Sequence, residues 1–381
     1  MMNHRLAALE KKITRISGQD YEPKWFSFEQ MLVFFSKLYE VGTRLRLNLY
    51  KTGRLQQKRL PCTVISVGNI MAGGAGKTPM AVCLADILTK MGRKPVVVSR
   101  GYGGGLKKAA GIVGDGQRVF MDARTAGDEP YMMAQMKAFP VVVGKDRYDA
   151  GCLALAQLDV DIVILDDGFG HLGLARDLNL VLFDHDRPLG NNRILPAGRL
   201  RETPAMSKQR IHGLILTRCP EQGGDTSIPD VLEELLGKIP FFCTCHSPYL
   251  SMFYPRKKAK ISGPCSLPED ITALKGKKAF LFSGIARNDS FRKTVAQLGV
   301  KVVDHLEFKD HYRYKRADFE TIGDRAKTAG ADLILTTEKD WAKVDPSFVW
   351  KKDLAVINIR IQFEQARAFK AFLESRLSKD E

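Results

Sequence analysis

The chain has 381 residues, enough for two domains with their own cores, and 44% of them are hydrophobic, which excludes a disordered chain. Its formal net charge of +16 calls for an acidic partner: nucleic acid, anionic lipid or a phosphorylated substrate. The seven cysteines are scattered without a CxxC pair, as expected of free thiols in a reducing compartment.

Residues 1–24 form an N-terminal extension. Arg5, Glu10, Lys11, Lys12 and Arg15 interrupt it, so it does not read as a secretory signal. Residues 25–50 read as an amphipathic helix, with Phe28, Met31, Leu32, Phe35, Leu38 and Tyr39 at helical spacing. Val33 and Phe34 widen the apolar face beyond one core contact. The basic residues Arg44, Arg46, Lys51, Arg54, Lys58 and Arg59 follow, with no acid between Val41 and Ala85. Basic charge directly after an apolar face favours an anionic membrane surface over a nucleic-acid groove. No RNP-type aromatic motif or zinc finger supports a nucleic-acid partner, and no window is apolar enough to span a bilayer.

From Cys62 short apolar strands alternate with helices. Strands are expected at 63–67, 95–99, 139–143, 161–165, 178–183 and 213–216, with a helix at about 78–91. This alternation predicts an α/β fold, a doubly wound, mostly parallel sheet whose ligands sit beyond the carboxyl ends of its strands. The core is expected over 51–240 and a Pro-interrupted linker over 241–262. A smaller α/β domain is expected over 263–363, with strands at 278–283, 300–303 and 333–336, and a C-terminal helix over 364–381. Cys243, Cys245 and His246 fall in an alternating run that reads as strand rather than metal site.

Gly73, Gly74, Ala75, Gly76, Lys77 and Thr78 lie between a strand and a helix, the context of a phosphate-binding loop. Glycines let backbone amides approach phosphates, Lys77 would bridge the β- and γ-phosphates, and the Thr78 hydroxyl would bind Mg²⁺. Strict spacing would place glycine at 71, where this chain has Met71. An apolar strand ending in Asp166 and Asp167 is the arrangement that holds Mg²⁺ in such enzymes. Asp128 and Glu129 form an acid pair of the kind a hydroxyl-phosphorylating enzyme needs near its acceptor. Arg100 and Tyr102 lie at a strand end and Arg147 just after one, where a phosphate could be clamped, and Arg201 and Glu202 form a further candidate pair. His311 follows Asp310 in the second domain and matters if that domain closes over the first.

Together these motifs resemble the tetraacyldisaccharide 4′-kinase family of the lipid A pathway in Gram-negative bacteria. The resemblance rests on residues 66–70, 73–79, 99–104, 127–130, 141–147, 165–171, 195–198 with 201–202, 310–313 and 336–340, and covers about 44–344. It implies ATP as phosphate donor, Mg²⁺, and transfer to the 4′-hydroxyl of an acylated glucosamine disaccharide 1-phosphate. It further implies Lys77 and Thr78 at phosphate and metal, Asp166, Asp167 and Glu129 at the metal, and Asp128 as base with His311 as its partner. Arg147 and His171 match the active-site region, and Arg100, Tyr102, Arg201 and Glu202 its substrate side. The family usually has Gln where this chain has Gly170. A peripheral or monotopic enzyme on the cytoplasmic face of the inner membrane is expected, with no obligate protein partner. The alternative is a P-loop GTPase or metallochaperone-type switch; Thr337, Glu338, Lys339 and Asp340 approach its guanine motif with the lysine out of register.

Overall fold

The computed structural model describes residues 12–13, 16–73, 76–220, 227–255, 271–285, 288–310, 312–345 and 347–378. Among the described residues twelve strands form one sheet. In chain order they are β1 Thr63–Gly68, β2 Pro95–Ser99, β3 Ala110–Asp115, β4 Pro140–Gly144, β5 Ile162–Asp166 and β6 Leu178–Asp184. They continue with β7 Gly213–Thr217, β8 Phe241–Tyr254, β9 Lys278–Ser283, β10 Lys301–Glu307, β11 Leu333–Thr337 and β12 Asp353–Phe363. Across the sheet the order is β10-β9-β11-β12-β8-β7-β6-β1-β5-β2-β4-β3.

The strands are apolar on both sides because helices or loops cover both faces. Ile65, Val97 and Ile164 pack with Leu84 and Met133 on one face, while Val64, Val96, Val98, Val163 and Leu165 pack with Ala150 and Ala154 on the other. The far half repeats the scheme, with Phe280, Phe282 and Ile334 on one side and Ala279, Leu281 and Leu335 on the other. All neighbours pair in parallel except β3 with β4 and β8 with β12.

Residues 241–254, expected as the start of a linker, are instead the strand β8. Its first part pairs parallel with β7 and the rest antiparallel with β12. A strand of 14 residues is long enough to serve two neighbours in succession, so the sheet passes unbroken from one half to the other. Residues 256–262 of the expected linker lie outside the described residues. Cys243, Cys245 and His246 are strand residues, as expected. The edge strand β3 and the strand β12 carried no reading in the sequence. The C-terminal helix, Ala366–Leu377, packs on the first half: Phe369 meets Phe242 edge-on at 4.9 Å and joins the core of Leu84 and Ile215.

The N-terminal helix runs Phe28–Lys51. Ser27 caps it by accepting from Gln30 N–H at 3.2 Å, and Glu29 and Lys51 complement its dipole. Of its side chains only Leu32 and Ser36 are buried. Ser36 Oγ donates within the loop at 2.8 Å to Ile194 O and accepts from Ala197 N–H at 3.0 Å, pinning the helix to residues 194–197. Met31, Phe34, Phe35, Leu38, Val41 and Leu45 are exposed in one stripe. Among the described residues no helix is long and apolar enough to cross a membrane.

Candidate active site

The chemistry-bearing residues collect beyond the carboxyl ends of β1, β5, β2 and β4, as open parallel sheets dictate. Strand β1 ends at Gly68, where a Cβ would stand 2.5 Å from Phe169 Cβ, so the chain leaving β5 can cross directly over it. Gly76, at φ +80°, turns the chain into the helix Lys77–Lys90. Lys77 Nζ donates to Asn69 Oδ1 and Gly73 O at 3.4 Å each, and lies 3.7 Å from Asp167 Oδ1. Gly74 and Ala75 lie outside the described residues.

Thr78 Oγ1 lies 3.2 Å from Glu129 Oε2 and 3.2 Å from Asp166 Oδ2, with Ser99 Oγ 3.4 Å from the latter. Asp166 is buried, and burial first, then the charges of Glu129 and Asp167, push its carboxyl up to about 7 against the pull of Lys77 and Thr78. A cation among these oxygens would reverse that penalty. The donors are hydroxyl and carboxylate oxygens, which suits Mg²⁺. Among the described residues no three His, Cys, Asp or Glu side chains form a closed metal cage. Mg²⁺ needs none, since it keeps several waters and takes one or two carboxylates. The residues therefore fit the ion.

Asp167 holds φ +52°, a region aspartate tolerates, and its carboxylate accepts from Arg201 Nη1 at 3.2 and 3.3 Å. Gly127, at φ +93°, has no room for a side chain, because a Cβ would stand 2.8 Å from Tyr102 O. It opens the helix Asp128–Gln135, whose N-terminus favours the charges of Asp128 and Glu129 in its first turn. Both acids meet lysines from the far half: Asp128 Oδ2 lies 3.4 Å from Lys343 Nζ, and Glu129 Oε1 3.4 Å from Lys339 Nζ. Lys339 also reaches Asp310 Oδ1 at 3.1 Å. His311 itself lies outside the described residues.

Arg147 is buried, and its Nη1 donates to Gly144 O at 3.3 Å and Lys145 O at 3.2 Å. Burial, then the neighbouring Arg100, lower its affinity for a proton, and its Nε has no hydrogen-bond partner among the described residues. His171 lies 4.0 Å from Asp146 and is pushed down to about 4, by burial first and Arg147 second, so it is neutral at pH 7. Arg100 is exposed and Tyr102 is 72% exposed, on a loop tied to the far half where Arg313 donates to Gly103 O at 3.5 Å.

Glu202 is placed differently from the other substrate-side residues. It is buried and paired with Arg210, whose guanidinium stands 4.4 Å over the Phe169 ring. Its carboxylate braces the segment after β5 from behind, whereas Arg201 faces Asp167. Sequence reasoning gave no role to Asn69, Lys339 or Lys343, which the structure brings to the site. Lys339 belongs to the stretch 336–340, read as part of the family resemblance and as an imperfect guanine motif but given no role; Lys343 carried no signal.

The sequence model of the family described as Tetraacyldisaccharide-1-P 4'-kinase matches residues 28–378. The "Tetraacyldisaccharide 4'-kinase" of Desulfatibacillum aliphaticivorans is 39% identical over 373 residues, covering 98% of this chain and 99% of the relative. That of Syntrophus aciditrophicus is 38% identical over 350 residues, covering 90% and 91%. A crystal structure of the "apo" form of LpxK from Aquifex aeolicus in complex with ATP superposes with a TM-score of 0.70 at 31% identity, covering 92% of this chain and 100% of that one.

Proposed function

The chain belongs to the tetraacyldisaccharide-1-P 4′-kinase family, and on that premise we propose how its own residues carry the reaction. It is an ATP- and Mg²⁺-dependent kinase that phosphorylates the 4′-position of an acylated disaccharide 1-phosphate in lipid A biosynthesis. The GTPase or metallochaperone alternative is not favoured. The observation that carries the mechanism is the meeting of Thr78 with Asp166 and Glu129, and of Lys77 with Asp167, at the start of the helix after β1.

Gly73–Thr78 and Lys77 bind the donor's phosphates. Thr78, Asp166 and Glu129, with Asp167 beside them, hold Mg²⁺, which when bound neutralises charge on the phosphate oxygens. Asp128 receives the proton of the sugar 4′-hydroxyl as the bond from the γ-phosphorus to the acceptor oxygen forms and that to the leaving ADP oxygen breaks. His311 is assigned as the partner of Asp128 in that transfer, as the resemblance implies. Arg147 and Arg100 offer positive charge to phosphate, Arg201 holds Asp167, and Tyr102 and neutral His171 line the acceptor side. Glu202 serves that side indirectly, by fixing Arg210. The transition state is loose, so positioning outweighs deprotonation in its contribution.

The acceptor's acyl chains stay in a bilayer while its sugar reaches water. The exposed stripe Met31–Leu45 supplies an apolar face for the interface, and exposed Arg46, Lys51 and Arg54 attract anionic headgroups. Arg44, Lys58 and Arg59 contribute less, being paired with Glu40, Asp146 and Asp177. ATP fixes the side as the cytoplasmic face of the inner membrane. The test is to incubate the protein with ATP, Mg²⁺ and the acylated disaccharide 1-phosphate in micelles. A product heavier by one phosphate, placed at the 4′-oxygen, is expected; its absence overturns the reading.

A further inference from the structure

Asp128 and Glu129 are neighbours in one helical turn, and each meets a lysine from residues 338–343, just after β11. Lys343 Nζ lies 3.4 Å from Asp128 Oδ2 and 3.6 Å from Asp340 Oδ1, with its side chain only 7% exposed. The post behind it is rigid. Asp340 is fully buried; its carboxylate accepts from Gly284 N–H at 3.0 Å, from the Tyr314 hydroxyl at 3.0 Å and from Thr337 Oγ1 at 2.7 Å. A buried ammonium is costly unless carboxylates neutralise it, so the place of Lys343 is set by these two acids. Neither contact has hydrogen-bond geometry, so the pairing acts through charge and position. Lys339 stands in the same relation to Glu129, whose other oxygen faces Thr78.

We infer that Lys343 is a positioning residue for phosphoryl transfer: it fixes the Asp128 carboxylate and makes its placement depend on the far half of the sheet being seated against the helix Asp128–Gln135. This rests on the reading of Asp128 as the group that receives the acceptor proton. Little covalent chemistry is asked of the protein in a loose transition state, so a displaced carboxylate costs rate even when it remains ionised. Lys343 touches no reacting atom; it acts through Asp128.

The test is a double-mutant cycle on the full chain, assayed with ATP and the acylated disaccharide 1-phosphate in micelles, with a melting temperature for each variant. Lys343→Met is expected to lower kcat on the order of 10- to 100-fold, the range typical for orienting partners of a reactive group, with the KM for ATP within about twofold. Added to Asp128→Asn, the same substitution is expected to change kcat by less than about threefold, because its target is gone. Equal losses in both backgrounds would show a merely structural role and overturn the inference, as would near-normal kcat of Lys343→Met alone. Near-normal kcat of Asp128→Asn overturns the reading of Asp128 itself, and the inference with it. If Lys343→Met does not fold, Lys343→Arg, which keeps the charge but moves it, goes through the cycle under the same criteria.

Discussion

Two regions of this molecule invert the usual partition of residues, in opposite senses. At the carboxyl ends of β1 and β5 acids are drawn inward: Asp166 is buried beside Glu129 and Asp167, with its proton held up to about pH 7. On the helix Phe28–Lys51 apolar side chains are turned outward, Phe34 at 58% and Leu38 at 54% exposure. Burying like charges together costs free energy, and so does leaving a continuous apolar stripe in water. On the proposed reading each cost is relieved by something outside the chain, a cation with phosphates in the first region and a lipid interface in the second. A place where the chain's own packing is unfavourable thus indicates the chemistry of its ligand.

The comparison breaks most sharply at Lys77. Lys77→Ala is expected to lower kcat by about 10³-fold, the scale of losing one preorganised charge at developing negative charge, without releasing the protein from vesicles. Near-normal turnover in micelles would remove the phosphate-loop assignment. Next, Asp128→Asn and His311→Ala are each expected to lower kcat by roughly 10²-fold, with the KM for ATP little changed, because both act on the acceptor side. Steady-state kinetics of the single and double variants check this: losses that multiply would show that the two residues act independently.

The helix is probed by the double substitution Phe34→Ser with Leu38→Ser. Deleting the helix would be a poorer test, since Ser36 holds residues 194–197. At ~1 kcal/mol for each partly inserted side chain, partition into anionic vesicles should weaken about 30-fold while ATP binding is unchanged. Unchanged sedimentation with vesicles would refute the interfacial role. High salt should weaken attachment of the native chain only in part, because screening leaves the apolar stripe in place.

An effect on stability rather than on turnover or attachment sharpens the contrast between a buried acid that awaits a cation and one that does not. Glu338, hydrogen-bonded to Asn358 on β12, is pushed up by burial alone to about 7 from 4.5. Its folded form therefore stays neutral where the unfolded form ionises. The stability this contributes is complete below pH 4.5, falls as the pH rises towards 7, and is gone above. Glu338→Gln should remove that dependence, so its stability relative to the native chain should rise by no more than about 1.4 kcal/mol per pH unit across that window. Denaturant titrations at a series of pH values, with and without Mg²⁺, read this out; a difference that does not vary with pH would place Glu338 in water.

The alternation of apolar strands and helices, the loop ending in Lys77 and Thr78, and the strand ending in Asp166 were legible from the amino-acid order alone. Each is a local pattern: a period of two or 3.6, or a phosphate site made by one strand, one turn and one helix. The acid pair at 128–129 was legible as well, because Gly127, Asp128 and Glu129 are consecutive. The lysines that meet those acids were not. Lys339 and Lys343 lie more than 200 positions away in the chain, and only the pairing of β11 with β9 and β12 carries them to the helix Asp128–Gln135. Prolines at 248 and 255 read as a break in the chain, yet β8 tolerates Pro248 and joins the two halves, since whether a strand ends there depends on the partner beside it. The same holds for Glu202: its residue type allowed a ligand contact, but the buried Arg210 against Phe169 decided which way the carboxylate faces. Local order sets which groups are available, and long-range packing sets which of them meet, because burial and charge pairing are properties of neighbours in space.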